Sequence, residues 1–166
     1  MNDTQVIDIL KKAIVLEQQG QNFYKKVADQ TDSEAIKNIF TIMAEEEKKH
    51  EQILTEQASQ YQNSGSFDFK GDIGDAEEFS REVLSKQITE QISAASYEAA
   101  SISAAIAMEQ KTVDLYSTQA EQSRDEGAKK MYSELAKWEK THVGFLNEIY
   151  NDLLESSWYD SSFWPF

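Results

Sequence analysis

A repeat at a fixed offset of 92 residues constrains the fold more than any other feature of this sequence. When the sequence is aligned with itself at this offset, Glu17 aligns with Glu109 and no gap is needed. The same offset pairs Ala13 with Ala105, Ile14 with Ile106, Gln18 with Gln110, Tyr24 with Tyr116, Glu47 with Glu139, His50 with His142 and Leu54 with Leu146. The repeat predicts two equivalent halves related by a pseudo-two-fold axis.

Both halves are predicted to be helical because residues that break helices are rare. The only proline is Pro165, and three of the six glycines lie within residues 65–74. Apolar residues recur at spacings of three and four over residues 6–28 and 36–54, which is typical of amphipathic helices. We predict helices over about residues 4–30, 32–61, 86–122 and 124–155.

The connections between these helices predict an all-α four-helix bundle. Thr31 and Ser123 each lie three residues before a glutamate, which predicts helix starts after two short turns. The crossover at about residues 62–85 is much longer, so we expect two helical hairpins joined by it. A chain of 166 residues can bury one core, and we expect a single domain over 1–166 with an aromatic C-terminal tail at 156–166.

Composition excludes several classes of function. The chain has 16 lysines and arginines against 30 aspartates and glutamates, a net charge of −14 without a basic cluster. We therefore expect no nucleic-acid partner and no membrane partner. The absence of cysteine excludes disulfides and thiolate metal sites. The N-terminus lacks a signal-peptide pattern and no apolar run spans a bilayer, so we expect a cytoplasmic protein.

The two histidines carry the strongest functional signal. His50 and His142 each follow a glutamate by three residues, a spacing that places both side chains on one helix face. One such motif is usually part of a solvated surface, but two at the repeat offset favour a metal site. Two more glutamates lie in apolar stretches, where burial without a cation would be costly. The predicted metal ligands are Glu17, Glu47, His50, Glu109, Glu139 and His142.

We interpret the neighbouring Glu45, Glu46 and Glu51 as solvated charges. Without metal, the pKa values of the four convergent glutamates are expected to rise because of burial and mutual repulsion.

These motifs resemble the rubrerythrin and ferritin-like superfamily of di-iron carboxylate proteins over about residues 5–155. The resemblance implies a ferritin-like bundle that binds two iron ions, with manganese or zinc as substitutes. It implies terminal carboxylates at Glu17 and Glu109, bridging carboxylates at Glu47 and Glu139, and one histidine for each metal. Tyr24 and Tyr116 are similar to hydroxyls that orient carboxylates, and no catalytic residue is implied beyond the metal ligands.

The sequence departs from the family pattern in two places. The family's extra glutamate, one turn after the third-helix carboxylate, is replaced by Thr112, and Gly20 occupies the repeat position. We also expect no C-terminal rubredoxin domain of the kind that rubrerythrins carry, since the sequence has no cysteine. We therefore expect electrons to come from an external electron donor protein.

The leading functional hypothesis is a non-haem di-iron oxidoreductase that reacts with hydrogen peroxide or dioxygen and protects against oxidative stress. One alternative is ferritin-like iron oxidation and storage, and another is a bundle that binds divalent metal without catalysis. We also expect a homodimer or higher homo-oligomer. The aromatic tail would pack over the bundle end or at a subunit contact through Trp158, Tyr159, Phe163, Trp164 and Phe166.

Overall fold

A computed structural model describes residues 3–71 and 97–160. In these ranges the chain forms four α-helices and no β-strand, which confirms the predicted all-α four-helix bundle. The helices are α1 (Asp3–Gln30), α2 (Glu34–Ser64), α3 (Tyr97–Gln122) and α4 (Glu126–Asp160). The predicted start of the third helix at 86, most of the crossover and the tail residues 161–166 lie outside the described residues.

Two helices extend beyond their predicted ends. α2 continues to Ser64 and ends at Gly65, whose φ of 72° lies in the left-handed region where glycine has no steric cost. The Gly65 N–H donates to the carbonyl of Tyr61 at 2.8 Å, which satisfies one of the last helical carbonyls. α4 continues to Asp160, so the first five residues of the predicted tail belong to this helix.

The predicted helix caps at Thr31 and Ser123 were wrong by two residues. The capping side chains are Ser33 and Asp125, and each accepts a backbone N–H three residues ahead, at 3.4 and 2.9 Å respectively. Ser33 has the extended backbone that a capping residue needs, with φ −84° and ψ 113°. The Ser123 hydroxyl instead donates to the carbonyl of Gln119. The cap lies two residues later than predicted in both turns, because the two turns are equivalent positions of the repeat.

The helices pack as two antiparallel hairpins, α1 with α2 and α3 with α4, and α1 also contacts α3. Two apolar clusters fill the bundle. The Phe40 cluster includes Val27, Ile36, Phe40, Met43, Ile102, Leu146 and Leu153, and the Leu135 cluster includes Leu10, Leu54, Tyr116, Met131, Tyr132 and Leu135. Every helix passes from one cluster to the other, and the segment between them carries the predicted ligands. None of these helices, over the described residues, is long and apolar enough to cross a membrane.

Candidate metal centre

A layer of charged side chains lies between the two apolar clusters, at the middle of the bundle. α1 and α3 each contribute one glutamate, and α2 and α4 each contribute one glutamate and one histidine. The six side chains are Glu17, Glu47, His50, Glu109, Glu139 and His142, all at most 3% exposed. The tertiary structure therefore brings all six sequence-predicted ligands to one place.

The six side chains form two overlapping groups of four. One group is Glu17, Glu47, His50 and Glu139, and the other is Glu47, Glu109, Glu139 and His142. Within each group, one potential ligand atom from each residue lies within 4.8 Å of the others. Glu47 and Glu139 belong to both groups, which is the arrangement expected of carboxylates shared between two metal positions.

The repeat is visible in the geometry of the two imidazoles. Nδ1 of His50 lies 2.8 Å from Oε1 of Glu139 and 3.5 Å from Oε2 of Glu17. At the equivalent positions, Nδ1 of His142 lies 3.3 Å from Oε1 of Glu47 and 3.8 Å from Oε1 of Glu109. The ring centroids are 5.9 Å apart and the rings are inclined by 27°. Each imidazole thus directs a nitrogen towards carboxylates of both halves.

The hydrogen bonding of this layer fits a bound cation. Buried polar atoms in proteins nearly always have a partner. Among the residues that the structure describes, none forms a hydrogen bond with Oε2 of Glu17, Oε1 of Glu47 or Nε2 of His50. Carboxylate oxygens and imidazole nitrogens are ligands for divalent first-row metals, and a metal would neutralise the buried charges. The donor set therefore fits metal ions.

The charges of this layer act on one another strongly. Burial raises the pKa of Glu47 and of Glu109 well above the ordinary value, and the nearby charge of Glu139 raises both further. Burial disfavours the charged form of His50, but Glu139 outweighs this effect and the pKa of His50 rises to about 10. A protonated His50 and an ionised Glu139 therefore form a buried ion pair when no metal is bound.

The expectation that all four glutamate pKa values rise was wrong for Glu139. Burial would raise the pKa of Glu139, but the imidazoles of His50 and His142 outweigh burial and hold it well below its usual range. The sequence-based argument considered burial and the repulsion between carboxylates. It did not include two imidazole nitrogens within 3.2 Å of the same carboxylate.

Two tyrosines donate hydrogen bonds to the carboxylates of Glu17 and Glu109. The Tyr24 hydroxyl donates to Oε1 of Glu109, and the Tyr116 hydroxyl donates to Oε1 of Glu17. Both bonds cross from one repeat to the other. Burial raises the pKa of each tyrosine, and the charge of its carboxylate partner raises it further, so the hydroxyls keep their protons. Each bond therefore fixes one carboxylate oxygen.

Two residues beside the centre were misjudged or missed. Glu46 is only 7% exposed, so its interpretation as a solvated charge was wrong; its Oε1 lies 2.6 Å from Nζ of Lys49. Trp138 packs its ring edge-on against His50, with centroids 5.9 Å apart. Trp138 occupies the repeat position of Glu46, so a comparison of the two halves would have singled out both residues.

Gly20 and Thr112, the two residues at the position of the family's extra glutamate, have distinct surroundings. A Cβ on Gly20 would lie 3.3 Å from both Cγ and Oε2 of Glu47, so glycine allows this shared carboxylate to lie against α1. Thr112, at the repeat position, is 5% exposed, and its hydroxyl donates to the carbonyl of Met108 at 3.4 Å. The Thr112 hydroxyl is thus bonded within its own helix.

Comparisons with known proteins agree with this geometry. The family model for rubrerythrin matches residues 8–150. A solved structure of a hypothetical protein from Pyrococcus furiosus is similar in fold, with a TM-score of 0.64, 23% sequence identity and 90% of each chain covered. No curated protein matches the sequence. Since the family model covers most of the chain, and the buried cluster of glutamates and histidines could hold metal ions, this protein belongs to the rubrerythrin family.

Proposed function

We propose that this protein is a di-iron oxidoreductase that reduces hydrogen peroxide or dioxygen. The observation that carries the proposal is the sharing of Glu47 and Glu139 between two groups of potential ligands. Hard carboxylate oxygens suit iron, and they favour the ferric state. A pair of iron ions bound here would supply the two electrons that peroxide takes up on reduction to water.

The ligands divide into shared and terminal residues. Glu47 and Glu139 would each contact both metal positions. Glu17 and His50 would complete one position, while Glu109 and His142 would complete the other. Four carboxylates balance the charge of two divalent cations, and this balance explains how so many acidic groups are tolerated in the interior.

The surroundings of the ligands would support this chemistry in two ways. Tyr24 and Tyr116 each fix one oxygen of a terminal carboxylate, which orients that carboxylate before metal binds. The two apolar clusters close the layer from both ends of the bundle, and the ligands are at most 3% exposed. Exclusion of water strengthens electrostatic interactions at the site and favours a small oxidant over a bulky substrate.

The proposal includes an external electron donor protein. The sequence contains no cysteine, so its 166 residues supply no ligands for an iron–sulfur or rubredoxin-type electron carrier. We therefore propose that electrons for repeated turnover reach the centre from another protein.

The test is stopped-flow spectroscopy of full-length protein loaded anaerobically with Fe(II) and mixed with hydrogen peroxide. We expect a ferric absorption band to form, and we expect Glu139→Gln to slow or abolish it. Glu134→Gln is the matched control, because Glu134 lies on the same helix and pairs with Lys137 at 2.6 Å in a largely exposed contact. The control should behave like the wild type. A protein that binds two irons per chain and gives no ferric band would contradict the proposal.

A further inference from the structure

A cavity of about 170 Å³ lies at the end of the bundle where α4 begins. It borders the Leu135 cluster, away from the charged layer, and the exposed residues Gly65 and Arg124 also line it. Its walls include Val6, Ile9, Tyr61, Phe67, Gln119 and Tyr132. We propose that this cavity binds a small single-ring molecule that carries a hydroxyl group.

A comparison of the wall residues with their counterparts in the repeat shows which side chains distinguish this cavity from the opposite end of the bundle. Four of its wall positions have counterparts at the repeat offset that are apolar, at most 1% exposed and part of the Phe40 cluster. The pairs, wall residue first, are Gln119 and Val27, Ala128 and Ile36, Tyr132 and Phe40, and Tyr61 and Leu153. Of the four wall residues, Ala128 is smaller than its counterpart and leaves space. The other three, Gln119, Tyr132 and Tyr61, are more polar than their counterparts and bring polar atoms to this end of the bundle.

One side-chain oxygen in the wall is buried and has no hydrogen-bond partner among the described residues. Gln119 is 7% exposed, and no described residue forms a hydrogen bond with its Oε1. Its repeat counterpart, Val27, presents no polar group at all. A buried acceptor without a donor is destabilising, so a hydroxyl donor from a bound molecule would be favourable here.

The remaining walls favour a flat ring. The rings of Tyr61 and Phe67 lie 5.0 Å apart, and Tyr132 stacks on Tyr116 with centroids 6.0 Å apart. Offset and edge contacts with such rings favour an aromatic occupant. The volume is close to the roughly 150 Å³ of an apolar cavity that accepts benzene. The wall residue Tyr132 thus lies next to Tyr116, which donates to a carboxylate of the metal centre.

The part of the wall formed by Phe67 lies in the loop that follows α2, and this loop packs against α4. A Cβ on Gly127 would lie 3.0 Å from both Cβ and the carbonyl oxygen of Phe67, so glycine allows the loop to lie directly against α4. The backbone N–H of Asp68 donates to the side-chain oxygen of Gln57 at 3.1 Å. The aromatic wall formed by Phe67 is therefore in place before a ligand binds.

The test is isothermal titration calorimetry of the full-length protein with phenol and with toluene, which lacks the hydroxyl. We expect saturable binding of phenol. Gln119→Met keeps the length of the side chain and removes the amide, so it should lower the preference for phenol over toluene by about fivefold, the effect of one neutral hydrogen bond. Ala128→Ile should abolish binding, because isoleucine fills the counterpart position at Ile36. Ala104→Ile, on the exposed face of α3, is the matched control and should bind normally.

Three results would overturn the proposal. They are an absence of saturable phenol binding to the wild type, wild-type phenol affinity in Ala128→Ile, and an unchanged phenol preference in Gln119→Met. If Ala128→Ile does not fold, the Gln119→Met comparison decides the outcome. Binding does not depend on iron chemistry, so failure here leaves the proposed function untouched.

Discussion

Without metal, this protein should lose stability as the pH rises from 6.5 to 8.5. The reason is the buried pair of His50 and Glu139, whose Nδ1 and Oε1 atoms are 2.8 Å apart. This contact outweighs the effect of burial and raises the pKa of His50 from 6.5 to about 10. The folded protein therefore keeps a proton that the unfolded chain loses near pH 6.5.

The magnitude follows from proton linkage. A group with a raised folded pKa contributes stability that is complete below the unfolded pKa and is lost as the pH approaches the folded pKa. A difference of one bound proton changes the free energy of unfolding by about 1.4 kcal/mol per pH unit. His50 alone should thus lower it by roughly 2–3 kcal/mol between pH 6.5 and 8.5.

The carboxyl groups of Glu47, Glu109 and Glu139 do not reverse this trend. Burial raises the pKa of Glu47 and of Glu109, so deprotonation on unfolding also favours the unfolded state at higher pH. Glu139 has a lowered pKa, so it is ionised in both states over this range and contributes no slope. Its stabilising effect is lost only when the pH falls below the ordinary carboxyl range.

The assay is urea unfolding of chelated protein, followed by far-UV circular dichroism at both pH values. His50→Gln should reduce the pH-dependent loss of unfolding free energy by about 1.4 kcal/mol per pH unit, while Glu134→Gln should leave this loss unchanged. Saturating Mn(II) should stabilise the protein more at pH 8.5, because metal binds deprotonated ligands of the folded state. An unfolding free energy of the chelated wild type that is constant or rises with pH would refute the reasoning.

Three further predictions concern single positions. Glu47→Ala should lower the metal content in elemental analysis more than His50→Ala, because Glu47 belongs to both groups of ligands; equal content would contradict this. Gly20→Ala should also lower the metal content, because its Cβ would lie 3.3 Å from the Glu47 side chain. Gly144→Ala is the control: its Cβ meets nothing within 4 Å, so it should retain metal and raise the free energy of unfolding in urea by about 0.5–1 kcal/mol. Thr112→Glu restores the family's missing carboxylate and should speed oxidation by peroxide in stopped-flow traces; an unchanged rate with both metals bound would show that position 112 does not limit the reaction.

The sequence by itself determined the helical class and the residues that meet at the centre. Helical periodicity specifies which side chains share a face, and the 92-residue repeat specifies which faces are equivalent. Both are properties of spacing along the chain. They were sufficient to predict the bundle and to choose Glu17, Glu47, His50 and their three counterparts before any contact was known.

Only the tertiary structure decided which group contacts which. Tyr24 lies on α1, seven residues after Glu17, yet its hydroxyl donates to the carboxylate of Glu109 on α3. The lowered pKa of Glu139 depends on an imidazole from α2 as well as one from its own helix. The burial of Glu46 depends on the surrounding helices, not on its position along α2. Burial, charge and hydrogen bonding are set by neighbours from all four helices, and the spacing along any single helix does not specify those neighbours.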